Sequence, residues 1–278
     1  MPELAEVELG RTLLERVVVG RRITEVWCDD DDIVFDGVTP EAVRDALTGK
    51  RAIAAHRHGK HLWLELEAGP HPLFHFGMTG AFRLRGEAPL ELESRIGIGD
   101  TTWPPRFAKI HLWLEDGGEI VMTNARRLGR IRLRASPPDE PPLADLGFDP
   151  LLALPSRAEF VRRAKRRKIP IKALLLDQGF AAGVGNWLAD EILYQSKIDP
   201  RRIAASLDED ELARLRSVMR RVVKRAVAVG ADKDRFPRSW LFHHRWGKQA
   251  GARTARGEPI EHLELGGRTT AWVPSVQR

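Results

Sequence analysis

Three short stretches carry residue types and spacings that could do chemistry. The chain opens MPELAEVELG. Methionine before a residue as small as proline is readily removed, and its loss would leave Pro2 with a free secondary amine. A chain-terminal amine titrates near pH 8, well below a lysine ammonium, and can attack an aldehyde-like carbon. The carboxylate of Glu3 follows directly. The same residues could do no more than open a helix through Val7 and Thr12, with Glu3, Glu6 and Glu8 favoured by the dipole at its start. The rest of the chain must decide.

The second stretch is HRHGKHLWLEL. Read as a strand, it places Lys60 on the face of Leu62, Leu64 and Leu66, at a core-facing edge. His56, His58, His61, His71 and His75 invite a metal reading, but they lack the ligand spacing of a zinc site. His75, just before Phe76-Gly77-Met78, reads better as a phosphate contact or a core histidine.

The third stretch, LLLDQGFAAGVGNWLADEIL, pairs Gly183 and Gly185, which permit a tight turn, with Asn186, placed to cap the helix that follows. A helix start of this kind binds phosphate. Six basic residues, Arg162, Arg163, Lys165, Arg166, Arg167 and Lys168, precede it.

These stretches need elements to hold them. A length of 278 residues suggests about two domains. Residues 1–150 carry 19 basic against 25 acidic side chains, and residues 151–278 carry 26 against 14. A pI near 9.7 with the positive charge gathered in one half points to a polyanion, most simply nucleic acid. No apolar stretch approaches membrane-spanning length and no signal peptide is present, so the expected location is cytoplasmic. The single cysteine, Cys28, rules out an internal disulfide and any multi-cysteine zinc site.

After the first helix, runs such as RITEVWC, KIHLWLE and GEIVMTN alternate with turn signals, which predicts an antiparallel sandwich. ASPPDEPPLADLGFDP is rich in proline and reads as a linker over 136–152. The run Asp29 to Asp32 reads as an exposed turn. From 153 to 235 the pattern is helical, ending in a long amphipathic helix with Leu212, Leu215, Val218 and Val222 on one face. Residues 236–278 return to hairpin character.

MPELAEVE, HRHGKHLWLEL, HFGMTGAFRL, LLLDQGFAAGVGNWLADEIL and GGRTTAWVP, in this order and spacing, resemble the formamidopyrimidine-DNA glycosylases of the Fpg/Nei family along nearly the whole chain. The resemblance implies an α+β multidomain protein: an N-terminal helix and antiparallel two-sheet β-sandwich (1–135), the linker, a helix-two-turn-helix domain (153–235) and a β-hairpin finger (236–278). It implies that the chain, as a monomer, grips double-stranded DNA containing oxidised bases or abasic sites. Pro2 would be the nucleophile on the deoxyribose, Glu3 the general acid, and Lys60 and Arg268 phosphate-gripping residues of the catalytic set.

DNA contacts would come from Glu6, His75, Gly185 and Asn186, while Met78, Arg126 and Leu128 would fill the space left by the extruded nucleotide. Leu128 stands where the family usually has phenylalanine, so stacking there should be weaker. The family's four zinc cysteines fall at Arg253, Arg256, Val273 and Val276, so no metal or other cofactor is expected. The finger looks like that of the zincless, plant-type branch, with Trp246, Ile260, Leu263, Trp272 and Val273 expected to pack in place of the metal. ADKDRFPRSWLFHHRWGK is short for the loop that covers an extruded 8-oxoguanine, which favours formamidopyrimidines and further-oxidised guanines as lesions. Two other readings stay open: an endonuclease VIII-type glycosylase for oxidised pyrimidines, and a non-catalytic damaged-DNA-binding protein.

Overall fold

In the computed structural model, residues 2–87, 102–247 and 251–278 are described. The chain divides into two compact units, Met1–Asp145 with Gly230–Lys233, and Leu146–Val229 with Asp234–Arg278.

The first unit begins with α1 (Leu4–Val17) and contains two four-stranded antiparallel sheets, ordered β1-β6-β7-β5 and β2-β3-β4-β8. The strands are β1 (Ile23–Cys28), β2 (Ala52–His58), β3 (His61–Leu66), β4 (His71–His75), β5 (Ala81–Leu84), β6 (Ala108–Leu114), β7 (Glu119–Thr123) and β8 (Arg130–Arg134). Period-two alternation drives this arrangement: Leu62, Leu64 and Leu66 of β3 are buried, while the residues between them stay partly open. Inward-facing residues of both sheets, among them Leu62, Phe74 and Ile131 from one and Phe82, Ile110 and Met122 from the other, share one core.

Helix α1 is fastened to this core at two points. A Cβ on Gly10 would come within 2.7 Å of the Phe76 ring, so only glycine lets the helix lie this close. Two residues earlier, buried Glu8 accepts a 2.7 Å hydrogen bond from Nε of Arg57 on β2. A carboxylate and a guanidinium removed from water this far hold each other, because either one alone would be strongly destabilising.

One helix went unread, and two expectations need correction. A second helix, α2 (Pro40–Leu47), follows Thr39, whose hydroxyl accepts from Ala42 N at 3.1 Å. Cap, proline at the first turn and amphipathic spacing were all legible there. Lys60 is not in a strand: Gly59 and Lys60 form the turn between β2 and β3, with Gly59 at φ 59°. The run Asp29 to Asp32 is not simply exposed, because Asp31 is buried and ion-paired to Lys109 at 2.7 Å and Arg127 at 2.8 Å.

The second unit holds α3 (Arg157–Lys165), α4 (Ile171–Leu176), α5 (Asn186–Ser196) and α6 (Glu209–Ala228), followed by the hairpin β9 (Glu261–Leu265) and β10 (Arg268–Trp272). Asp208 and Glu211 form a capping box that starts α6. The hairpin turns on Gly266 and Gly267, at φ 58° and 67°. Two central residues at positive φ define the tight turn whose twist suits antiparallel strands. Residues 136–152, expected as a linker, contain two short 3-10 turns, and Phe148 is buried against Phe160 and Phe180.

Gly10→Ala should gain up to about 1 kcal/mol in helix propensity yet lose about 1–3 kcal/mol to overpacking against Phe76. Urea unfolding is expected to show net destabilisation; an unchanged or raised midpoint would mean that α1 does not depend on this close approach.

Candidate functional site

In the first unit, the start of α1 is turned into the fold. Pro2 is buried and Glu3 is only 2% exposed. Glu3 caps the helix, and its backbone N–H donates to Oε2 of Glu6 at 2.9 Å, so the two glutamates form a capping box. Burial, reinforced by the neighbouring Glu3 charge, pushes the Glu6 carboxyl up to about 7. Near neutrality this corner can therefore hold a proton. With Met1 removed, Pro2 would add a secondary amine to a carboxylate and a proton-bearing carboxyl, a set suited to attack on an electrophilic carbon with proton transfer to its leaving oxygen.

The sheet β2-β3-β4-β8 presents a basic row at one end. Register pairs His58 with His61, His61 with His75, and His75 with Arg130, and Lys60 sits in the adjoining turn. The His61 and His75 ring centroids are 4.7 Å apart. Burial first, and then surrounding cations that include Lys60 and Arg132, push His61 down to about 3 and His75 down to about 4. Both rings are neutral at physiological pH. Nδ1 of His75 takes the Gly77 N–H at 3.3 Å, which assigns the ring proton to Nε2, a neutral donor beside a cationic turn. Such a row suits a phosphate. Among the described residues no group of three or more His, Cys, Asp or Glu could hold a metal ion.

Met78 lies in the β4–β5 loop, and Arg126 and Leu128 lie in the β7–β8 loop. Met78 is half-buried, Arg126 is exposed, and Leu128 is 42% exposed despite being apolar. One side chain ties the loops together. Buried Asn124 donates from Nδ2 to the Phe76 carbonyl at 2.9 Å and accepts at Oδ1 from Leu128 N at 2.9 Å and Gly129 N at 3.1 Å. Gly77, at φ 61°, packs so closely that a Cβ would fall 2.3 Å from the Leu128 carbonyl.

Between Arg126 and Leu128, Arg127 adopts φ 53° and forks onto Asp31 with bonds of 3.0, 3.0 and 2.8 Å. Burial alone would raise the Asp31 carboxyl, but the hydrogen bonds from Arg127 and Lys109 outweigh it and hold it well below the usual range. The anchored residue thus leaves its two neighbours projecting. Asn124, Asp31 and Arg127 were missed from sequence; the only signals were an asparagine opening NARRLG and an aspartate hidden in an acidic run.

In the second unit, Gly183 turns at φ 93° and Gly185 is the residue that caps α5. Asn186 does not cap the helix as expected: it is the first helical residue, and its Nδ2 donates to the Thr269 carbonyl of β10 at 2.8 Å. Arg268 is exposed beside the hairpin turn and has no ion pair among the described residues. Of the residues expected to pack the finger, Ile260 and Val273 share a core with Tyr194, Leu241 and Ala271. Trp272 instead lies under Arg201, 4.3 Å from guanidinium carbon to ring centroid, and Trp246 lies against Phe242 and Arg245.

Comparison with known proteins places this geometry. The formamidopyrimidine-DNA glycosylase N-terminal domain matches residues 1–131, and the formamidopyrimidine-DNA glycosylase H2TH domain matches residues 146–237. A formamidopyrimidine-DNA glycosylase of Arabidopsis thaliana is 40% identical over the whole chain and 71% of its own length. Lactococcus lactis Fpg, solved with DNA containing N7-benzyl-Fapy-dG, superposes with a TM-score of 0.80 at 25% identity, with both chains fully covered. A MutM solved with DNA containing carbocyclic 8-oxo-G gives the same TM-score, 0.80, and the same identity, 25%, again over both whole chains.

Two outcomes are expected here. Because Glu6 titrates near 7 when folded and near 4.5 when unfolded, the folded state binds the extra proton between those values, and stability falls as pH rises through that window. Glu6→Gln keeps an acceptor for Glu3 N and should remove up to about 3 kcal/mol of that fall; parallel stability curves for the two proteins would contradict the assignment. Asn124→Ala strands the Leu128 and Gly129 amides, while the Phe76 carbonyl keeps the Gly80 N–H at 2.8 Å; it should cost about 1–3 kcal/mol, with those two amides exchanging rapidly with solvent.

Proposed function

The chain belongs to the formamidopyrimidine-DNA glycosylase family, and on that premise we propose that it removes oxidised purines from DNA and then cuts the strand through the amine of Pro2. The observation that carries this reading is the buried start of α1, with Pro2 and Glu3 held inside the fold and Glu6 bound to the Glu3 amide.

In this reading, initiator methionine is removed; Met1 itself lies outside the described residues. The lesion nucleotide leaves the stack, and the Pro2 nitrogen attacks C1′ of its deoxyribose. Glu3 protonates the ring oxygen as the sugar opens, the C1′–base bond breaks with its electrons passing to the base, and a Schiff base joins Pro2 to C1′. That imine acidifies the C2′ protons, so β-elimination expels the 3′ phosphate and δ-elimination the 5′ phosphate. Glu6, titrating near 7, keeps the corner from carrying two full negative charges against the incoming phosphates.

The basic row supports a further assignment: Lys60 and the neutral His75 take phosphates beside the lesion. Gly185, Asn186 and Arg268, in the second unit, are also assigned to phosphate. Arg126, Met78 and Leu128 fill the vacated stack, a cation and two apolar wedges. The division of labour follows the expected segments, with chemistry in 1–135, a connection over 136–152, and DNA grip in 153–235 and 236–278. We take the acting species to be a monomer on DNA inside the cell; no helix among the described residues is long and apolar enough to cross a membrane. Relatives solved with Fapy-dG and 8-oxo-G analogues support purine lesions as the substrate class. Leu128 and the short segment before the finger tilt the preference toward formamidopyrimidines and further-oxidised guanines.

Borohydride should trap the methionine-processed protein on DNA containing an abasic site, and a variant extended by residues ahead of Pro2 should give no covalent product while still binding. Chelator should leave both excision and trapping unchanged. Tight binding without trapping would leave a damage-recognition protein, and preferential excision of oxidised pyrimidines would favour the endonuclease VIII-type reading.

A further inference from the structure

A two-stranded hairpin standing alone is marginally stable, and this one carries Arg268 at its turn without a cysteine cluster to clamp its base. Something else must fix it. Asp190 is 1% exposed inside α5. Its Oδ2 accepts from the Ala271 N–H of β10 at 3.1 Å and from Nε and Nη2 of Arg245 at 3.0 and 2.6 Å. Its Oδ1 accepts from Nζ of Lys172, which is fully buried and also donates to the Asn186 carbonyl at 2.9 Å.

Asn186 and Asp190 stand four residues apart on one face of α5, about 6 Å along its axis. Their partners, the Thr269 carbonyl and the Ala271 amide, lie on one edge of β10 on either side of Thr270, roughly 5 Å apart along the strand. Two side chains of one helix face thus reach two neighbouring groups of one strand edge. One contact would let the strand pivot, whereas two set its position along the helix.

We infer that Asp190, held by Lys172 and Arg245, is the positioning residue that docks the finger strand on α5 and so sets Arg268. Lys172 and Arg245 hold the Asp190 carboxylate in place, and a carboxylate holds an amide more strongly than a neutral acceptor does. Ala271 is drawn to α5 on the edge of β10 that Thr269 also presents to it. Arg268, next along the strand, is then placed by backbone and not by its own packing. This inference rests on the proposed role of Arg268 as a phosphate contact, and its test separates the two.

The test measures hydrogen exchange across 268–272, together with affinity for DNA carrying a tetrahydrofuran abasic analogue as salt is varied, in Asp190→Asn, Arg268→Ala and the double variant. Asp190→Asn should deprotect the β10 amides and lower affinity about tenfold or more, the loss of one charge-assisted contact. It should also reduce the salt slope by about one phosphate contact, as Arg268→Ala does. The double variant should bind no worse than Arg268→Ala, because residues acting through one contact are not additive. Losses that multiply, or unchanged exchange in β10, would overturn the inference.

Deprotected β10 with full affinity in Arg268→Ala would uphold the docking and sink the phosphate role of Arg268. Should Asp190→Asn fail to fold, Lys172→Met/Asp190→Leu/Arg245→Met replaces the ion cluster with apolar side chains, a change often tolerated. The same deprotection and slope loss are expected of it, and wild-type behaviour in that variant would overturn the inference.

Discussion

The chemistry proposed for this chain depends on holding a chain end still. The first residues of most domains fray, because few contacts oppose the entropy of the backbone. Here the start of α1 is fixed by the Glu3 amide on Glu6, by Glu8 on Arg57, and by Gly10 against Phe76. The three contacts follow one another over the first half of the helix, so its start is seated and Pro2 inherits its position. A nucleophile placed by a rigid helix does not have to be reordered at each turnover.

Charge placement matters more than charge total. The first 150 residues are net acidic, yet one end of the β2-β3-β4-β8 sheet gathers Lys60, His58, His61, His75 and Arg130. Acidic side chains are drawn into pairs elsewhere, as with Asp31 under Lys109 and Arg127. Those pairs also shape the loops: the fork of Arg127 on Asp31 fixes the one residue between Arg126 and Leu128. A histidine pair kept neutral by burial can donate hydrogen bonds to phosphate without adding to the repulsion among neighbouring cations.

Much of this was legible in the sequence because periodicity and turn chemistry are local. Alternation in HLWLEL marked β3, and the paired glycines of GGRTTAWVP marked a hairpin, whose type I′ geometry the φ values of Gly266 and Gly267 then supplied. What escaped was set by partners distant in sequence. Asn186 looks like a cap until Thr269, 83 residues away, claims its amide. Asp31 looks solvated until Lys109 and Arg127 arrive from β6 and the β7–β8 loop. Lys60 was misplaced by extending a strand pattern through Gly59, whose positive φ makes it a turn. Asp190 was passed over because a single aspartate in a helix buried on nearly every side carries no local mark.

The most direct test of the central claim is to locate the covalent bond. Protein reduced by borohydride on abasic-site DNA, digested with trypsin and nuclease, should carry the sugar remnant on the peptide Pro2–Arg11, at the proline nitrogen, when fragmented in a mass spectrometer. A remnant on a lysine peptide, such as the one ending at Lys60, would contradict the assignment of Pro2 as nucleophile.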